Sequence, residues 1–215
     1  MIRKTLLATT LVGAGYLAAP AAQACVYNLN VGSPNTAIGT STTIAGTAEP
    51  GTTCGSSVTL NANGPNSPSL FNKQAGAGET GLGLTNDTSG DNEVTPGSFI
   101  EIDLSKVVDP TIGLSAAANS VQGGESWEVL GSNTKGTIGT AVVVATNTTM
   151  NEVTFSNPSN FAFLDFTAVS GNVLLSALDS METAISTPEP ASLAILGAAL
   201  AGLGVIRRRR KSISA

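Results

Sequence analysis

The side chains here that could do chemistry are carboxylates, because the 215-residue chain contains no histidine. That absence excludes Ser-His-Asp and Cys-His nucleophilic catalysis and any zinc or haem site that needs imidazole. The densest acidic group is Asp87, Asp91 and Glu93, in NDTSGDNE. Carboxylates spaced by turn-forming residues can wrap a hard cation in oxygen ligands, so calcium is the one cofactor to consider, with Asp109 or Glu79 contributing from elsewhere. The segment lacks the twelfth-position glutamate of an EF-hand. The competing reading is a solvated turn whose Asp and Asn side chains bond their own backbone. Glu101 and Asp103, in SFIEIDL, are two apart, which on a strand places them on one face about 6.5 to 7 Å apart. Inverting glycosidases hold their acid and base at such a separation, but any Glu-x-Asp on a strand gives it. The plainer reading is a hydrated outer face. Trp127, the only tryptophan, is either a core residue or a sugar-stacking platform. Gly81 to Leu84 (GLGL) lacks the Lys-Ser/Thr and the strand-to-helix setting of a phosphate loop, so its glycines read as a close approach or a bulge. Asn86-Asp87-Thr88 and Asn147-Thr148-Thr149 match the glycosylation triplet.

The elements that must position these groups read as strands. Ser, Thr, Asn and Gly make up 88 residues, and short apolar or alternating runs are separated by Gly, Asn, Pro and Ser clusters. That is the pattern of an all-β sandwich or barrel. Candidate strands are Ser56–Leu60, Ser98–Leu104, Ser126–Gly131, Thr140–Thr146, Glu152–Phe155, Phe161–Val169 and Asn172–Leu178. In SFIEIDL, Ile100, Ile102 and Leu104 face one way, Glu101 and Asp103 the other. FAFLDFTAV carries apolar bulk on both faces and reads as a central strand. TAVVVAT reads as fully buried, and Trp127 and Val129 face the core together. Polar alternation favours antiparallel sheets. Residues 25–80 read as a loop-rich N-terminal part and 81–186 as the β-sandwich core.

The two ends carry most of the positive charge. Arg3 and Lys4 precede an apolar run that ends in Ala22-Gln23-Ala24, the three parts of a secretory signal peptide over residues 1–24, cut by signal peptidase after Ala24. At the other end, Arg207, Arg208, Arg209, Arg210 and Lys211 follow an apolar stretch, 191–206. As a helix it would be roughly 24 Å long, short of a full hydrocarbon core, but its arginines can snorkel to the far headgroups. The same arginines hold that end in the cytoplasm, so the chain would be anchored in the inner membrane with its middle outside. Only Lys73, Lys106 and Lys135 lie between the ends, against fourteen of the fifteen acidic residues, which argues against nucleic acid as a partner. In an exported chain the two cysteines, Cys25 and Cys54, suggest one disulfide, worth about 3.5 kcal/mol by loop entropy. The alternative for Cys25 is lipidation, although Ala22 stands where a lipobox favours Leu.

Pro188-Glu189-Pro190, the Gly/Ala/Leu-rich helix and the terminal basic cluster together closely resemble the PEP-CTERM sorting signal of exopolysaccharide-producing bacteria, over residues 187–215. The resemblance implies recognition and cleavage near Pro-Glu-Pro by an exosortase, an integral-membrane cysteine protease. The succession GLGLTNDTSGDNEVTPGSFIEIDLS, GESWEVLGSNTKGTIGT and FLDFTAVSGNVLLSAL, over roughly Gly81 to Leu178, is similar to passages recurring in PEP-CTERM surface proteins. It implies a jelly-roll-like β-sandwich of unassigned activity. The expectation is a non-enzymatic surface or extracellular-matrix protein of a Gram-negative-type bacterium, with extracellular polysaccharide and biofilm as its setting. The alternative is a carbohydrate-binding module or calcium-dependent adhesin, and a third reading is a carboxylate-based glycan hydrolase.

Overall fold

The computed structural model describes residues 25–48, 52–76, 79–87, 89–107 and 113–180. The signal peptide with Ala22 and Ala24, the sorting motif Pro188, Glu189 and Pro190, the 191–206 helix and the basic tail Arg207 to Lys211 lie outside them, as does Asp109. The described residues belong to one compact unit, Gln23–Ala184. Among them no helix is long and apolar enough to cross a membrane.

The unit is all-β and antiparallel. Its strands are β1 (Cys25–Tyr27), β2 (Thr36–Gly39), β3 (Ser41–Ala48), β4 (Thr52–Asn63), β5 (Leu70–Gln74), β6 (Thr80–Leu84) and β7 (Phe99–Asp103). They continue as β8 (Leu114–Asn119), β9 (Ser126–Ser132), β10 (Ala141–Asn147), β11 (Val153–Thr154), β12 (Phe163–Ser170) and β13 (Leu174–Ser180). The strand order is β10-β9-β12-β7-β4-β3-β1-β13-β6-β5-β2, with β8 pairing both β13 and β11. Two separate stacked sheets were expected. The hydrogen bonding instead runs without a break as one open sheet, because β1 pairs β3 through one edge and β13 through the other.

All seven candidate strands are present. FAFLDFTAV is central, with β12 between β7 and β9. Trp127, Val129, Ile100, Ile102, Leu164 and Phe166 are fully buried in one apolar core. Trp127 lies 5.5 Å from Phe166 between ring centroids, and its indole N–H donates to the Thr149 carbonyl at 2.9 Å. It is a core residue, and the sugar-stacking reading falls.

Three expectations are corrected. TAVVVAT is not fully buried: β10 pairs only β9 and slips register twice, leaving Val142 60% exposed while Val143 and Val144 stay inside. The stretch read as loop-rich, residues 25–80, carries β1 to β5. Its signal was weak because the inward side chains of β3 are few (Ile44, Gly46, Ala48), while threonines fill the outer face. Thr43 and Thr59 pair across β3 and β4 through their hydroxyls at 2.9 Å. Third, the Glu101 side of β7 is not hydrated, a point taken up below.

The disulfide joins Cys25 on β1 to Cys54 on β4, with Cα atoms 5.9 Å apart. It ties the first strand of the unit to the sheet and occupies the sulfur that lipidation would need.

Candidate functional site

Three polar arrangements stand out. The first is built on register. Asn61, Glu101, Asp165 and Leu130 are direct neighbours across β4, β7, β12 and β9, so their side chains share the face opposite the main core. Glu101 and Asp165 are both 0% exposed. The loop between β9 and β10, residues 133–140, closes over them with its backbone. Gly136 N–H donates to Glu101 Oε2 at 2.5 Å and Gly139 N–H to Asp165 Oδ2 at 2.8 Å. Asn61 Nδ2 supplies Glu101 Oε1 at 3.1 Å. Ser132 Oγ braces the loop, donating to the carbonyls of Thr134 and Thr137. Gly139 is obligatory, because a Cβ there would collide with the Gly131 carbonyl oxygen.

The electrostatics of this pair are lopsided. Asp165 Oδ1 is buried without a hydrogen-bond partner. Burial raises the Asp165 pKa to about 7, the Gly139 N–H opposes the rise, and the charge of Glu101 adds to it. Near neutrality Asp165 therefore holds its proton half the time, which relieves two carboxylates facing each other in a dry site. Sequence reading missed this pair. Asp165 sat among apolar residues on a strand recognised as central, and a lone Asp inside such a run is the signal that could have found it. The pairing proposed for hydrolysis, Glu101 with Asp103, is not assembled as a site. Glu101 is sealed under the loop, while Asp103 is half-buried and accepts the Ser105 N–H at 2.9 Å.

The second arrangement takes apart the acidic segment. Glu93 is 2% exposed and sits against Lys73 of β5, Nζ to Oε1 at 2.5 Å, and also accepts from Ser120 Oγ at 2.9 Å. Glu79 reaches the same ammonium at 3.4 Å. Burial alone would lower the Lys73 pKa, but the Glu93 hydrogen bond and the charges of Glu93 and Glu79 outweigh it and raise it. Asp87 is held by its own turn, accepting from Ser89 Oγ and from Asn92 N–H at 3.2 Å. Asp91 accepts from Asn172 Nδ2 at 3.2 Å. Asp87, Asp91 and Glu93 thus point to three different partners, and among the described residues no group of three or more acidic or cysteine side chains could hold a metal ion. Glu93 is spent on a buried ion pair, and Asp87 makes a turn that bonds its own backbone. In GLGL, a Cβ at Gly83 would strike the Asn92 carbonyl oxygen, so β6 needs glycine there to pass this turn. Of the glycosylation triplets, Asn86 Nδ2 donates to the Asn66 carbonyl, and Asn147 Oδ1 accepts from Thr149 N–H and Oγ1.

The third arrangement is a cleft of about 400 Å³. β8 runs along one edge of β13. The other edge is shared: β6 meets it at Leu175, β1 at Asp179 and Ser180, and neither pairs with residues 176–178. The cleft lies at that gap, lined by Ser176, Ala177 and Asp179 of β13, by β1 and the residues after it, and by Asn72, Thr80 and Gly81. Asp179 Oδ1 is buried without a hydrogen-bond partner, and burial raises the pKa of this carboxyl, helped by the charge of Glu152. Tyr27, also at the cleft, is nearly wholly buried, its hydroxyl 2.8 Å from Ser56 Oγ; burial raises its pKa, against the Ser56 hydrogen bond.

Compared with known proteins, residues 186–211 match the family described as the PEP-CTERM protein-sorting motif. No curated protein and no solved structure matches the chain.

Proposed function

Taking the sorting motif at residues 186–211 as the premise, we propose that this chain is the precursor of a non-enzymatic surface or matrix protein. The motif implies an exported protein whose processing partner is exosortase. In this reading the signal peptide delivers residues 25–186 across the inner membrane. The tail holds them there until exosortase cuts near Pro188-Glu189-Pro190, and the freed body enters the extracellular polysaccharide layer. The observation that carries the proposal is the match itself, which covers the proline-glutamate-proline triplet, the apolar stretch and all five basic residues.

Two features of the body support the non-enzymatic reading. The best-formed carboxylate pair, Glu101 and Asp165, spends three of its four oxygens on Asn61 and on backbone N–H groups of the loop that seals it. Neither carboxylate lines the β13 cleft. The jelly-roll-like sandwich is likewise our reading, supported by one core spanning the whole sheet and by β7, β8 and β12 being buried on both faces. A second reading, a carbohydrate-binding module, is favoured by the hydroxyl and amide side chains that line the β13 cleft. Deleting the exosortase tests the first: the chain should then stay at full length in the inner membrane, and normal release without the protease would defeat it.

A further inference from the structure

We propose that the cleft on the open edge of β13 binds an uncharged polyhydroxylated ligand, with the chemistry of a neutral oligosaccharide. This names the ligand for the carbohydrate-binding reading and rests on it, but not on the sorting motif. The argument starts from the lining. Ser176, Thr47 and Thr80 bring hydroxyls, Asn28 and Asn30 bring amides, and among the described residues no lysine or arginine contributes. Amides and hydroxyls both donate and accept, which suits sugar hydroxyls that do the same. Among the described residues the single charged group is Asp179, whose buried Oδ1 has no hydrogen-bond partner. That oxygen is sealed from solvent, so a ligand meets the carboxylate at its other oxygen, Oδ2, where a sugar hydroxyl donates a charge-assisted hydrogen bond. The same carboxylate, in a cleft without a cation, repels uronates and sulfated glycans. Val26, 44% exposed, and Ala177 add small apolar surface for the C–H face of a sugar ring. No exposed aromatic ring lines the cleft, since Tyr27 is buried, so affinity for one chain is weak.

The amide group around Asn72 is ordered for this role. Asn72 Nδ2 donates to Asn30 Oδ1 at 3.1 Å and to the Ser33 carbonyl at 3.4 Å, and Gln74 Nε2 also donates to Asn30 Oδ1. With its oxygen so engaged, Asn30 has its own amide N–H groups left to turn toward a ligand.

The test uses the full chain in mild detergent and titrates neutral gluco-, galacto- and manno-oligosaccharides against an oligouronate, by calorimetry or chemical-shift perturbation. The expected result is saturable millimolar-range binding to at least one neutral oligosaccharide, with no calcium requirement and no binding of the uronate. Asp179→Asn should weaken it about tenfold, the loss of one charge-assisted hydrogen bond. Ser176→Tyr, which puts a bulky ring on the cleft lining, should abolish it, with melting temperature reporting that each variant is folded. If Ser176→Tyr fails to fold, Asp179→Asn decides alone. The proposal is overturned if no neutral oligosaccharide saturates the protein, if the uronate binds as well, or if Asp179→Asn binds like the parent. Sorting is read from tail processing, so the two can fail independently.

Discussion

Replacing Asp165 with Asn should make the protein more stable at pH 8 and nearly unchanged at pH 3. The Asp165 pKa lies near 7 in the folded protein because burial and the neighbouring Glu101 charge disfavour ionisation. Its ordinary value is 3.8. A carboxyl whose folded pKa is raised binds its proton more tightly when folded. Its stabilising contribution is full below about pH 3.8 and is lost as pH climbs through 7. The loss accumulates at about 1.4 kcal/mol per pH unit across that window and totals about 4 kcal/mol by pH 8. Asn keeps the shape and still accepts the Gly139 N–H, but it does not titrate. The difference in unfolding free energy between variant and parent should therefore grow with pH, from near zero at pH 3 to about 4 kcal/mol at pH 8. Urea denaturation followed by tryptophan fluorescence reads this directly, because Trp127 is wholly buried one strand from Asp165. A difference that stays flat between pH 3 and 8 would refute the reasoning, and so would a parent protein whose advantage over the variant grows with pH.

Other perturbations follow from the same contacts. Cys25→Ser or Cys54→Ser should cost about 3.5 kcal/mol, as should reduction of the parent, compared by thermal melts with and without a strong reductant. Lys73→Met should cost about 3 to 5 kcal/mol because it leaves Glu93 buried and uncompensated; Lys73→Met with Glu93→Leu should cost less than the single change, a comparison that denaturant melts make directly. Gly139→Ala should destabilise by roughly 2 kcal/mol or more, since its Cβ meets the Gly131 carbonyl, whereas Gly90→Ala, with open space around it, should cost less despite its positive φ.

What the sequence made legible was what repeats along the chain. Strands that alternate strongly or run apolar, such as Ser98–Leu104 and Phe161–Val169, were readable because each carries its own burial pattern. β1, β2, β3, β5, β6 and β8 were not. LSAAAN on β8 buries mostly small side chains, and β3 keeps threonines outside, so neither segment advertises an apolar face until its neighbours are in place. β10 was misread for the converse reason: three consecutive valines look internal, and only the sheet order shows β10 at an edge. The buried pair required register. Glu101 and Asp165 are 64 positions apart in sequence, and it is the β7–β12 pairing together with the 133–140 loop that turns an apparently wet face into a dry one. Glu93 shows the same limit, since its partner Lys73 comes from β5, across a turn that local spacing does not cross. The sorting motif was fully legible because it works as linear sequence, and the family match at residues 186–211 agrees with it.

The central claim is that this chain is cut at its tail by exosortase, and the most direct measurement is intact mass with terminal peptide mapping of the protein recovered from cell-surface and medium fractions. The account predicts a mature form beginning at Cys25, carrying the Cys25–Cys54 disulfide and ending near Pro188-Glu189-Pro190. A mature surface protein that still carries residues 191–215 would contradict it.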